Sequence, residues 1–220
     1  MSLSLYTALK AGYGSKEEQI NELHKSGYQR DDELSTENEQ VYYNPYTHQL
    51  LINVDGTDAT NKRGMLLQDL GTDAYLAAGH LKDTDRYKSV KKLIEKSKDK
   101  YKVTGAILTG HSLGGGLVNL AAGKNDNAVT LDAGFTAGQT ARKNVKNYRS
   151  SGDWVSTFAP WANTTTLDNP NWKTGNTLYD GYQAHNVDNI KDSHVYVDDN
   201  PNNTFDTTKQ RRYLPPVDIK

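Results

Sequence analysis

The sequence predicts an α/β fold, a mostly parallel sheet with flanking helices in a single domain. Three observations predict it. Short apolar runs of strand length alternate with longer segments of helical period between residues 49 and 150. Turn-forming stretches fall at the junctions, at Asp55-Gly56 and in the Gly-rich bend that begins at Gly110. A chain of 220 residues is long enough for one buried core and short for two. Strands joined through helices are what parallel neighbours require, because a parallel pair needs a long crossover.

In chain order, the first element is a short amphipathic helix over residues 15–27, with Ser15 as start signal, Ile20 and Leu23 on its apolar side and Gly27 as stop. Residues 28–44 are polar and read as extended or irregular. After the turn at Asn44-Pro45, the apolar run 49–54 reads as a buried strand. Residues 65–78 are helical or irregular around Gly71 and Gly79. A helix follows over 83–102, where Tyr87, Val90, Ile94, Ser97 and Tyr101 recur at helical spacing and seven lysines occupy mostly other faces, a solvated surface. Then come a strand over 101–109, a helix over 113–122, and strands over 127–132 and 144–150. Beyond residue 151 the chain is rich in Asn, Thr, Asp, Pro and Trp, which implies long loops with one or two short elements. This divides the chain into an N-terminal helix and extended segment (1–45), an α/β core (46–195) and an extended tail (196–220) that wraps the domain or docks on another subunit.

Composition excludes several functions. Lys+Arg 26 against Asp+Glu 27 leaves a net charge of −1, so no basic field exists to hold a nucleic-acid backbone. With no cysteine, thiolate nucleophiles, disulfides and Cys-ligated metals are out. The aspartates at 188–192 and 198–199 fit no metal-loop spacing, and no metal or cofactor is expected. No window reaches the roughly 18 to 20 apolar residues that span a bilayer, and the first residues lack a basic region followed by an apolar run. A soluble protein without a signal peptide is the expectation. Only 35% of residues are hydrophobic and 14 Tyr stand against 3 Phe, so the core should be small beneath a polar surface.

Gly110-His111-Ser112-Leu113-Gly114 matches G-x-S-x-G where that pattern has a mechanism, between a strand and a helix. The glycines allow a bend tight enough to present the Ser112 hydroxyl at the carboxyl end of the strand, and the helix start aims the Leu113 N–H at the same point, where it can stabilise an oxyanion. A serine nucleophile needs a base and an orienting acid, in this architecture in the order Ser, Asp or Glu, His. Downstream of Ser112 stand two histidines, His185 and His194. Asp153, just after a late core strand, has the position of the acid. His111 is expected to pack and hydrogen-bond, and His24, His48 and His80 to be surface residues.

The segment Leu108-Thr109-Gly110-His111-Ser112-Leu113-Gly114-Gly115 resembles the elbow of the class 3 lipases, α/β-hydrolases that cleave acylglycerol esters. Residues 50–57 followed by 63–70 resemble that family's oxyanion strand and the aspartate segment after it, residues 152–160 its acid-bearing loop, and residues 184–190 its histidine region. In spacing and at residues 83–87 the chain looks closest to lipase-like proteins of large DNA viruses and phages. The resemblance implies Ser112 as nucleophile, His185 as base with His194 as the alternative, Asp153 as orienting acid, Thr57 and Leu113 as oxyanion donors, and Asp69 holding the Thr57 hydroxyl. The base choice follows from the flanks, since His194 opens the alternating Val195-Tyr196-Val197, which reads as a strand. Two positions depart from the family pattern. Asp55 stands where an arginine is usual, and is expected to point outward, and Met65 stands where a tryptophan is usual.

Residues 58–68 correspond to the lid region of the related lipases, with Met65-Leu66-Leu67 read as core. Trp154, Trp161 and Trp172 are read as loop anchors near the acid. The functional expectation is a serine carboxyl-ester hydrolase acting on a small ester or lipid through an acyl-enzyme. The alternative is a catalytically weak or inactive lipase-like domain serving as a structural or interaction protein, for instance a virion component.

Overall fold

Among the described residues, seven strands lie side by side in chain order: β1 (Gln29–Arg30), β2 (Glu39–Asn44), β3 (Gln49–Val54), β4 (Ile107–His111), β5 (Asn127–Leu131), β6 (Val145–Ser150) and β7 (Thr164–Leu167). They belong to a computed structural model that describes residues 3–13, 16–56, 81–134, 142–153, 155–156, 163–168 and 184–197. The first three strands pair antiparallel, and from β3 to β7 every pair is parallel. All the parallel strands therefore release their chain at one edge of the sheet, where ligands of open α/β sheets bind.

Helices cover both faces, which is why β3 and β5 carry apolar residues almost without a break. Leu50, Ile52, Val54 and Leu108 pack with Val90 and Ile94 of α3 (Asp85–Tyr101) and with Leu117 and Val118 of α4 (Ser112–Ala121). Leu51, Ile107, Val129 and Leu131 face the other way, onto Leu5, Ala8 and Leu9 of α1 (Leu5–Tyr13). Leu23 of α2 (Lys16–Lys25) joins this second layer. Polar side chains replace apolar ones toward the carboxyl edge. Asn53 of β3 bonds Thr109 of β4 at 3.0 Å, and Asn147 of β6 accepts from Thr130 of β5 at 2.5 Å and from Asn119 of α4 at 2.7 Å.

The expected α/β class, with a mostly parallel sheet and flanking helices, is the one observed. Four local expectations change. Residues 5–13 form a helix where none was expected, because Leu5, Ala8 and Leu9 make a buried i, i+3, i+4 stripe. Tyr101 and Lys102 close α3 rather than open a strand; Lys102 adopts a left-handed cap (φ 53) and β4 begins at Ile107. Lys98, expected on a solvated face, is 12% exposed and paired to Asp126 at 2.8 Å. Residues 194–197 do not form a strand: Tyr196 makes an isolated bridge to Ser4, flanked by Leu5 N–H to the Val195 carbonyl at 2.8 Å and Val197 N–H to the Leu3 carbonyl at 3.0 Å.

Candidate active site

Three chain exits at the carboxyl edge carry the polar groups. After β4, Ser112 sits at φ 54, a left-handed conformation that a non-glycine residue adopts at a cost of about 1 kcal/mol or more. The turn that holds it needs glycine on both sides. A Cβ on Gly110 would meet the Gly114 carbonyl at 2.7 Å, and one on Gly114 would run into the Val54 and Asp55 carbonyls at the end of β3. Strand, bend and helix thus close on one another with no room for side chains, which leaves Ser112 half-buried at the edge. No side chain caps the start of α4 and its first turn holds no acid, so its N–H groups, that of Leu113 among them, keep their partial positive charge.

After β6, Asp153 is fully buried. Its Oδ2 accepts the Ser156 amide at 2.7 Å and the Ser156 hydroxyl, and its Oδ1 pairs with His185 Nδ1 at 2.7 Å. Burial alone would raise the Asp153 carboxyl, but the His185 charge and these hydrogen bonds outweigh it and hold the pKa below the usual value. The His185 ring shows the mirror case: burial opposes its charge, and Asp153, with Asp132 behind it, more than compensates and raises its pKa. Nδ1 donating to a carboxylate leaves Nε2 as the nitrogen able to accept a proton.

His111, the residue before Ser112, ties these exits together. Its ring is buried, lies 4.6 Å from the His185 ring between centroids, and is hydrogen-bonded to the His185 backbone. Burial, then the neighbouring His185 charge, push its pKa down to about 3, so it stays neutral. After β5, Asp132 is fully buried at φ 46, with its two oxygens on the Ser150 amide (2.6 Å) and hydroxyl (2.8 Å). Burial first, and the Asp153 charge second, raise its pKa. A His111 nitrogen, an Asp132 oxygen and a His185 nitrogen all lie within 4.8 Å of one another, the one group among the described residues with the spacing to admit a cation.

The structure therefore brings Asp153 and His185 into contact and places His185 against the residue that precedes Ser112. His194 is exposed, in the segment that pairs with residues 3–5. Thr57, Asp69, Met65, the 58–68 segment, His80 and the three tryptophans lie outside the described residues. His48 is half-buried rather than on the surface, bonded to the Tyr43 hydroxyl at 2.8 Å. Asp55 does not point outward. It is 5% exposed, accepts from Asn53 Nδ2 at 2.7 Å, and burial raises its pKa to about 7. Arg86 donates to the Asp55 backbone carbonyl at 2.5 Å and not to its carboxylate. Asp132 went unrecognised in the sequence, where Leu131-Asp132-Ala133 reads as the end of a strand; only three-dimensional proximity reveals it.

A serine held under backbone strain at a strand-to-helix bend, with a carboxylate-bound imidazole at the same sheet edge, defines the class as an α/β protein of hydrolase architecture. The chain belongs to the class 3 lipase family, whose model matches residues 14–127, just over half of the chain. That span includes Ser112 and ends before Asp153 and His185. No curated protein matches the chain at a significant level. Among solved structures it is similar to the Lip2 lipase of Yarrowia lipolytica, at 15% identity and a TM-score of 0.42 over 64% of this chain and 65% of that one. The chain spans just under two thirds of that lipase.

Proposed function

We propose that this protein is a serine carboxyl-ester hydrolase of the lipase and esterase type. The observation that carries the reading is the 2.7 Å pairing of His185 Nδ1 with the buried Asp153, on a ring packed against the residue before the strained Ser112. In this reading Ser112 Oγ attacks the ester carbonyl carbon while His185 Nε2 takes the hydroxyl proton, and Asp153 orients the ring and stabilises the imidazolium. The Leu113 N–H, with Thr57 positioned by Asp69, holds the tetrahedral oxyanion. Collapse breaks the bond to the alcohol oxygen, which leaves with the proton from His185; water, deprotonated by the same ring, then releases the acid and frees Ser112. Asp55, drawn toward its neutral form by burial, adds less negative charge beside the oxyanion strand than an ionised carboxylate would.

The substrate class is a small ester or lipid. A fluorophosphonate probe is expected to label the wild-type protein and not Ser112→Ala, with parallel loss of short p-nitrophenyl ester hydrolysis. A folded sample that takes no label overturns the reading in favour of a lipase-like structural or interaction module. The resemblance to viral and phage proteins motivates that second role as a virion component, with residues 196–220 docking on another subunit. Pull-down of virion proteins by the full chain and not by one lacking that tail would support it.

A further inference from the structure

Two buried carboxylates surround one imidazole, and the proposed mechanism uses only one of them. Asp132 leaves β5 in a left-handed conformation and is fully buried, with an oxygen within 4.8 Å of ring nitrogens of both His111 and His185. Both of its carboxylate oxygens are held by Ser150, through the amide at 2.6 Å and the hydroxyl at 2.8 Å. The Ser150 carbonyl in turn accepts the Asp153 amide at 3.1 Å, so one residue anchors both acids. An asparagine would tolerate the same backbone conformation and satisfy the same two Ser150 groups without bringing an ionisable group into the interior. What the acid adds to the turn is charge next to His185.

Building on the reading of His185 as the base, we propose that Asp132 is a second acid of the site, a positioning residue that acts through His185 by sharing with Asp153 the stabilisation of the imidazolium. It does not touch the reacting atoms. The titratable groups facing Asp132 among the described residues are His111 from β4, Asp153 from the turn after β6, and His185. His111 stays neutral, so the charge balance lies among the other three. Where Asp132 is protonated, the ring depends on Asp153 alone. Where it is ionised, a second negative charge raises the basicity of the ring, and the two groups titrate as a pair rather than independently.

The test reads the ring directly. In the wild-type protein the NMR titration of His185, assigned with His185→Asn, is expected to be broader than a one-proton curve. In Asp132→Asn it should narrow to a single ionisation with its midpoint lowered by about half a unit or more. In the Asp153→Asn background, ester hydrolysis should fall at least about tenfold further when Asp132→Asn is added. Ser150→Ala keeps the carboxylate and removes one donor, and should move the His185 midpoint the same way by less; it serves if Asp132→Asn does not fold. A His185 titration unchanged in both variants, or a double variant no worse than Asp153→Asn, overturns the proposal. The titration needs no turnover, so absence of a fluorophosphonate label would sink the hydrolase reading while leaving this measurement to decide the role of Asp132.

Discussion

The carboxyl edge of the sheet and the C-terminal end of α3 both bury aspartates, and they treat them in opposite ways. Around α3, Asp126 receives the Ala106 amide at 2.9 Å, the Gly123 amide at 2.7 Å and Lys98 at 2.8 Å. Asp31 receives Lys100 at 2.8 Å and the Tyr101 hydroxyl at 2.7 Å, contacts that outweigh its burial and lower its pKa. At the carboxyl edge, Asp55 and Asp132 have only neutral donors within hydrogen-bonding distance among the described residues, and their pKa values rise. Asp153 alone has a cationic partner, and that partner is an imidazole able to lose its proton. One region settles its charges permanently and locks a helix end. The other keeps groups that can change protonation near neutral pH, the condition under which acid-base chemistry operates.

Substitutions at each region break or sharpen this contrast. The largest effect is expected from His185→Ala, which should lower kcat for ester hydrolysis by about 10⁴-fold in the folded fraction, far beyond what the lost pairing with Asp153 costs in melting temperature. Steady-state kinetics beside calorimetry would check it, and equal losses of stability and activity would erase the distinction between the regions. Asp126→Ala should do the reverse. It leaves Lys98 and two amides without their partner at a cost of about 3 kcal/mol, seen in urea unfolding, with kcat unaffected in the folded fraction.

Asp55→Asn should act on stability in a pH-dependent way. The native state raises the Asp55 pKa to about 7 from an ordinary 3.8, so it binds this proton more tightly than the unfolded chain does. The contribution is fully present below about pH 4 and is lost as pH rises toward and past 7. The variant should gain up to about 4 kcal/mol over wild type at pH 8 and little at pH 4, measured by unfolding at both. The smallest effect is that of Ser112→Gly. It relieves the left-handed backbone, should add about 1 kcal/mol or some 2–4 °C in melting temperature, and abolishes labelling.

Elements whose residues interact locally were legible in the sequence. The run 49–54, the helix carrying Val90, Ile94 and Ser97, and the Gly110–Gly114 bend each announce themselves through period or turn chemistry within a few residues. The His185–Asp153 contact was anticipated through family resemblance, since nothing local in either segment specifies a partner 32 positions away. Other features depend on long-range packing. Helix α1 is short: the Ser4 hydroxyl caps its start by accepting the Thr7 N–H at 3.0 Å, and burial of Leu5, Ala8 and Leu9 against the sheet sustains it. β7 is a polar Thr164-Thr165-Thr166 strand that exists because β6 offers it a free edge. The orientation of Asp55 and the proximity of Asp132 to His185 could not be read, because both depend on which strands end side by side.

The bridge between Ser4 and Tyr196 sets a sequence of events for assembly. Residues 3–5 bind residues 195–197, and Tyr6 and Lys10 of α1 reach Asp188 at 3.1 and 3.0 Å, 182 positions away in the first case. Closing so long a loop is slow relative to forming β3, β4 and α4. During synthesis the bend that carries the serine can therefore be complete while the first helix still waits for its partner. The segment of residues 184–197 docks after that unit, and a change at residues 3–10 disturbs it from a distant part of the sequence. Folding thus orders this edge of the sheet, the strand-bend-helix unit around Ser112 forming before the segment that carries His185 is held against α1.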